Sequence, residues 1–582
     1  MIKTAFLAAA ATFAGVVMTP ALSLAQVQNY VPVTQEMLLH PSPGDWLMYS
    51  RTYDAQRYSP LKQITRANVG QLRMAWTRGM GPGTTETIPI VHNGVIYVVA
   101  PGAMVEALDG ATGDLLWEYK RKVSAGVASS ARTKTLAIYQ DLVLYAAPDG
   151  FIVGLDARTG EQRWQTTTGA GTNTSGTLVV DGKVISGRAC SKTRDTCFIA
   201  AQDALTGKDL WKFYTVPAPG QPGSESWGKT PFLATNMVST WGLPGTYDPV
   251  RKQLYWGVAN PTPNTRLQRH GGDPDGTSRT TPADLYSNST LSIDPATGKL
   301  NWYYQHLPAD DWDQDYTHER TLVREPFNPN PKFVKWINPD VKRGEMRDMA
   351  VMVGEGGGIF ALDRGNGQFL WATPFPFDDP NFLISKIDPR TGQVTINWDL
   401  VNKKPGERHT ICFYNTRSFW PTAFDPNTNS LYVPYIDNCL DMTSKSDAGP
   451  ERRLPVPQPG SDPNKLTGIG KINLSTGEIL RFNEGRAPSD GAVLTTAGGL
   501  VFHGNMNRRF RAFDDSTGKQ LWEGIVGGHV SVSTISYAAK GKQYIAIMTG
   551  DGLLDGSLLN ETPELKPPRG SNALFVFSLP DK

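Results

Sequence analysis

The 582-residue chain carries 57 Lys and Arg against 55 Asp and Glu, a formal net charge of +2, and so lacks the basic footprint that nucleic-acid binding requires. Its 58 Gly, 43 Pro, 15 Trp and 20 Tyr favour short strands joined by tight turns over long helices. The first residues read as a targeting segment: Lys3, an apolar run from Thr4 to Met18, then the small residues Ser23 and Ala25. This predicts a secretory signal peptide over residues 1–25, cleaved after Ala25. A membrane anchor is the alternative, but the run is shorter than the roughly 18 residues a spanning helix needs, and Pro20 interrupts its end. No later segment is apolar enough to span a bilayer. The mature chain, residues 26–582, is therefore expected to be one exported domain, periplasmic in a bacterium.

One pattern recurs along the chain: a small residue, a spacer, Asp, two spacers, Thr-Gly, three spacers and Trp. NVGQLRMAW, ending at Trp76, supplies a partial copy; ALDGATGDLLW ends at Trp117, GLDARTGEQRW at Trp164 and AQDALTGKDLW at Trp211. SIDPATGKLNW follows at Trp302, ALDRGNGQFLW at Trp371 and AFDDSTGKQLW at Trp522, whereas KINLSTGEILR ends in Arg481. Each copy makes sense as a β-hairpin, with Asp bonding the turn backbone, Gly where φ is positive, and a second strand starting near Trp. Strand-like runs such as TLVVDGKVISG and QLYWGVAN lie upstream, giving about four strands per unit. The 47-residue spacing of Trp117, Trp164 and Trp211 is near one propeller blade. These repeats predict an all-β, eight-bladed β-propeller, with loops inserted around residues 265–285, 323–348 and 376–418.

Four cysteines in an exported chain usually pair, and spacing suggests Cys190 with Cys197 and Cys412 with Cys439, although three connectivities are formally open. Thiol metal sites need CxxC-type spacing, which is absent. No Cys-x-x-Cys-His occurs, which argues against covalent c-type haem.

The Trp-ended repeats, the opening DWLMYSRTYDAQRYSPLKQIT, and the blocks WGVANP, STLSIDPATGKLNWYYQ and DDWDQD resemble, in the same order, the alcohol dehydrogenases that depend on pyrroloquinoline quinone (PQQ). The disulfide loops and DALTGKDLWKFYTVPAPGQPGSESWG are most similar to the soluble sorbose-dehydrogenase-like branch. The resemblance implies oxidation of an alcohol, such as a secondary alcohol, polyol or bulky hydroxylated compound, with PQQ and a metal ion as cofactors. It assigns the base to Asp313, since the hydroxyl proton must leave as hydride departs. It places metal ligands at Asn260, Asp313 and Asp315, with Ca²⁺ the first candidate and a lanthanide the second, because Asp315 matches the extra carboxylate of lanthanide-using members. For the cofactor it implies Trp241 as the stacking floor, Lys134 in place of an Arg facing PQQ carboxylates, Thr174 as a hydroxyl contact and Glu86 at the cofactor's edge.

Several positions depart from the family. Ala128 and Ser129 replace a pair of adjacent cysteines, and Phe419 replaces a polar contact, implying a more apolar pocket. Lys192 stands where relatives have a glutamate metal ligand, and Glu355 where they have a lysine. Opposite signs allow an exchange in which Glu355 approaches the metal or quinone with Lys192 nearby; a displaced alignment in two glycine- or cysteine-rich loops is the alternative. Reduced quinone would pass electrons to an external acceptor such as a cytochrome c. A second class of function, a cofactor-free periplasmic propeller acting as a protein-binding scaffold, would explain the repeats but not the joint presence of Asn260, Asp313 and Asp315.

Overall fold

The computed structural model describes residues 26–129, 132–228, 236–444 and 452–581; the segment expected to be a signal peptide lies outside them. Strands Ile90–His92, Val95–Ala100, Met104–Asp109 and Leu115–Lys120 form an antiparallel meander in chain order. Among the described residues, eight sheets of four or five strands are built on this plan. The last is completed by the early strand Arg73–Gly79, which pairs with Ala573–Ser578, so the two ends of the chain share one sheet. This is a β-propeller.

The repeat turn is as expected. At Asp109 the carboxylate accepts the Ala111 N–H at 2.7 Å, and the Gly113 N–H bonds the Asp109 carbonyl at 2.8 Å. Gly113 has φ +79, and a Cβ there would lie 2.5 Å from the Trp76 ring. The same close approach joins Trp117 to Gly160, Trp164 to Gly207, Trp211 to Gly298 and Trp302 to Gly367. These five Trp rings thus pack on the turn of the following repeat, whereas the turn after Trp371 is covered by Val334 at Gly477. Trp117 also donates its indole N–H to the Ala157 carbonyl at 3.0 Å. The side-chain-free, positive-φ glycine gives the turn its shape and makes room for the ring.

The seventh repeat achieves the same contact differently. Phe482, one residue later than the motif's Trp position, covers Gly518, while Arg481 donates to the Pro376 carbonyl and lies 4.2 Å over the Phe377 ring.

Both expected disulfides are present, with Cα separations of 5.0 Å for Cys190–Cys197 and 4.3 Å for Cys412–Cys439. The second joins register partners in a small sheet of Arg408–Cys412, Asn438–Thr443 and Arg452–Pro457, part of which lies in the insertion expected at 376–418. The insertion expected at 323–348 begins instead within a sheet strand, Thr321–Pro326, and contributes a fifth strand, Trp336–Ile337.

Antiparallel order divides the molecule into two ends. Turns joining third and fourth strands, which carry the repeat, face one end; loops entering each first strand, and those joining second to third, face the other. Glu86, Lys134, Thr174, Trp241, Asn260, Glu355, Phe419 and Leu553 all belong to loops of this second end.

Candidate active site

The segment DDWDQD separates four carboxylates by environment. Asp310 is fully buried and braces the turn, accepting the N–H of Trp312 at 2.6 Å and of Gln314 at 2.7 Å and the Asn288 amide at 3.1 Å. Burial pushes its carboxyl up to about 6. Asp311, also buried, accepts the Arg266 and Asn402 N–H groups. Asp313 has φ +62, a left-handed conformation uncommon outside glycine, which turns its side chain outward. It is 41% exposed and ion-pairs with Arg453 Nη1 at 2.9 Å. Arg453 also donates to the Trp312 carbonyl and lies 5.5 Å over the Tyr414 ring. One residue of the segment is therefore open to a small molecule and held by a cation.

Asp315 faces inward. Its carboxylate accepts the Asn260 N–H at 2.8 Å and the Trp241 indole N–H, which brings three expected site residues into direct contact. Glu355 joins them: its carboxylate accepts the Asp315 N–H at 3.0 Å, and its own N–H bonds the Asp315 carbonyl at 3.1 Å. Ser418 donates to its other oxygen. Burial, then the charge of Asp313, pushes the Asp315 carboxyl up to about 7, against the bonds from Asn260 and Trp241. Burial and then Asp315 raise Glu355 well above the usual carboxylate range. Two buried acids in contact resist ionising together, and the nearest basic group to Glu355 is His318 Nε2, 3.8 Å away. That donor set suits a multivalent cation of hard, oxygen-seeking character.

The remaining expected residues form a neighbouring wall. Lys134 Nζ pairs with Glu86, both side chains being 1% exposed, and lies 5.3 Å over the Trp241 ring and 4.3 Å over Phe419. Burial lowers the Lys134 ammonium, with Glu86 opposing. Thr174 donates to the Trp241 carbonyl at 3.0 Å, and the Leu553 N–H bonds Glu86 at 3.1 Å. Glu86, Arg132, Lys134, Thr174, Trp241 and Leu553 line a cavity of about 220 Å³. Its flat indole wall and two basic groups fit a planar, polyanionic cofactor, and the buried Arg132 Nε has no hydrogen-bond partner in the protein.

Phe419 is fully buried, edge-on to Trp241 with ring centroids 5.8 Å apart. It backs the indole and does not line this cavity, so its apolar character bears on the floor and not on the space an alcohol would occupy. Lys192 is exposed on the disulfide loop and forms no ion pair with Glu355. Ala128 and Ser129 close a short helix, Ala125–Ser129; their side chains lie outside the described residues. Arg453, Arg132, Ser418 and Leu553 were not expected from sequence. Ser418 adjoins Phe419, but the others sit in no motif, and only chain folding reveals them.

A family model described as glucose/ethanol/alcohol dehydrogenase, β-propeller domain, with PQQ, matches residues 46–377 and 467–545. The chain is 30% identical to quinohemoprotein alcohol dehydrogenase ADH IIB of Pseudomonas putida, over 93% of this chain and 78% of that protein. It is 28% identical to the quinoprotein ethanol dehydrogenase of Pseudomonas putida, covering 97% of this chain and 96% of the relative. Among solved structures, quinohemoprotein alcohol dehydrogenase ADHIIG of Pseudomonas putida superposes with a TM-score of 0.80 at 26% identity, covering 95% of this chain and 84% of that one. A europium-containing methanol dehydrogenase gives 0.79 at 25%, covering 94% and 100%. The β-propeller, the acid cluster around Asp315 and these likenesses agree: the chain belongs to the PQQ-dependent alcohol dehydrogenase family.

Proposed function

We propose that this alcohol dehydrogenase acts in the periplasm, with Asp313 as the base for a secondary alcohol, polyol or other hydroxylated substrate. The observation that carries this reading is the contrast within one turn, where Asp313 is exposed and paired to Arg453 while Asp315 is buried against Trp241, Asn260 and Glu355. When bound, PQQ and its cation supply the hydride acceptor for the alcohol carbon. Trp241 would stack on the quinone, with Arg132 and Lys134 facing its carboxylates and Thr174 and Glu86 at its edge. Asn260, Asp313, Asp315 and Glu355 would hold the cation. The Asp313 carboxylate takes the hydroxyl proton, and Arg453 orients that carboxylate by pairing with one of its oxygens.

Ca²⁺ fits these oxygen donors, and a lanthanide is the alternative that gains from Glu355 beside Asp315, since extra anionic oxygens favour a higher cation charge. Glu355 is proposed as a ligand without Lys192, which stands exposed on the disulfide loop. A cytochrome c is the proposed electron acceptor. Assignment to the sorbose-dehydrogenase-like branch and to eight blades rests on the two disulfide loops and on the eight sheets and repeats.

The test is titration of the protein with PQQ and either Ca²⁺ or a lanthanide, followed by turnover of primary alcohols, secondary alcohols and polyols with an artificial electron acceptor. Tight PQQ binding under one metal, with Asp313-dependent turnover, is expected. Failure to bind PQQ under both metals would overturn the reading and leave the protein-binding scaffold.

A further inference from the structure

Away from the Asp315 cluster, loops of three different strand connections meet at the same end of the propeller. Asp490 precedes strand Leu494–Thr496, His529 precedes Ile535–Ala539, and Asp555 follows Lys542–Thr549. Their side chains are each 1% exposed; His529 Nε2 lies 3.6 Å from Asp490 and Nδ1 lies 3.5 Å from Asp555. One nitrogen or oxygen from each falls within 4.8 Å of the others.

Their hydrogen bonding is incomplete. Asp490 Oδ1 is buried without a hydrogen-bond partner, and His529 meets the two acids only at 3.5 and 3.6 Å, while Asp555 accepts from the Gly552 backbone. Leaving a buried polar atom unsatisfied costs about 1–3 kcal/mol, more when it is charged, so the unpaired Asp490 oxygen beside a second buried acid and an imidazole points to an absent partner. Arg569 approaches Asp555 at 3.6 Å but is 55% exposed, and such a contact contributes little. We propose that Asp490, His529 and Asp555 form a second cation site that takes a first-row divalent ion, Mn²⁺ or Zn²⁺. One imidazole nitrogen with two carboxylate oxygens is a donor set for such ions and less so for Ca²⁺, which prefers oxygen alone.

The backbone around the site is arranged to admit it. A Cβ at Gly552 would lie 2.8 Å from both Asp490 Oδ2 and Asp555 Oδ1, so only glycine lets the chain pass between the two acids. The next residue, Leu553, bonds Glu86 and lines the Trp241 cavity. An ion held by Asp490 and Asp555 therefore braces the loop that closes one side of that cavity. The site does not depend on the proposed PQQ chemistry.

Crystals of the full chain soaked in Mn²⁺ or Zn²⁺, with data collected at that metal's absorption edge, should show an anomalous peak between the three side chains. The peak should persist in Asp315→Asn, which separates it from the proposed cofactor cation, and vanish in His529→Gln or, should that variant not fold, Asp555→Asn. Adding either ion in solution should raise the melting temperature of the wild type but not of the variant. Absence of a peak with both ions would overturn the proposal. Metal-free stability that falls as pH rises through the imidazole titration would do so as well, because it identifies His529 as an imidazolium bridging the two acids.

Discussion

The two ends of the propeller solve different problems. At the repeat end, five Trp and one Phe dock on the next positive-φ glycine, and the same few contacts recur from sheet to sheet. At the opposite end no contact recurs: Asp313 is exposed and paired, Asp315 and Glu355 are buried against each other, and Lys134 is sealed between Glu86 and two rings. The first end maximises satisfied contacts. The second keeps carboxylates close together and a cavity open beside them, an arrangement that costs stability and prepares a site for charge.

Substitutions at the two ends should therefore separate activity from stability. The largest effect is expected for Asp313→Asn: kcat should drop by about 10²–10⁴-fold, the usual contribution of a positioned base, with an unchanged melting temperature. Steady-state kinetics and calorimetry check both halves, and an equal loss of stability would erase the distinction.

At the repeat end, Trp117→Ala should cost about 3–5 kcal/mol of unfolding free energy. Phe482→Ala should cost a comparable amount, because Phe482 fills the same role, and denaturant titration would measure both. Arg453→Gln should lower kcat by about tenfold, and Arg453→Lys should recover part of the loss, since a cation beside Asp313 is what orients it. A structural role alone would show no such recovery.

Two smaller effects refine the picture. Arg481→Trp, which restores the motif's residue, should not raise the melting temperature, because Phe482 already occupies the seat on Gly518; a rise would mean that the seat is open. Glu561 accepts the Asn438 amide at 2.9 Å, and burial pushes its carboxyl up to about 7. A raised acid favours the folded state only while protonated, so its contribution is present below about pH 4.3, the unfolded value, and fades as pH rises towards 7. Glu561→Gln should flatten that decline, measured as melting temperature against pH.

Much of the repeat end was legible in the sequence because its interactions are local. Asp, Thr-Gly and Trp stand at fixed offsets, and each offset maps onto one turn and one packing contact. The exception proves the mechanism: Arg481 breaks the pattern in writing, but a one-residue shift brings Phe482 to the same place. Of the residues the family resemblance singled out, the fold brings Asp315, Asn260 and Trp241 into contact, with Asp313 facing outward from the same turn. The resemblance could not anticipate Arg453, which reaches Asp313 across 140 positions in the chain, or that Phe419 backs Trp241 without lining the cavity.

What the sequence determined by itself was the hairpin repeat and the residue types available for proton and metal chemistry, set by short-range spacing, whereas the pairing of the cysteines was only suggested by it. Tertiary structure alone decided which carboxylate faces solvent and which is buried, which cation meets Asp313, and that Asp490, His529 and Asp555 converge. Those outcomes depend on loops from separate sheets meeting at one end, and on the loss of water where they meet, and neither is written in any local stretch of chain.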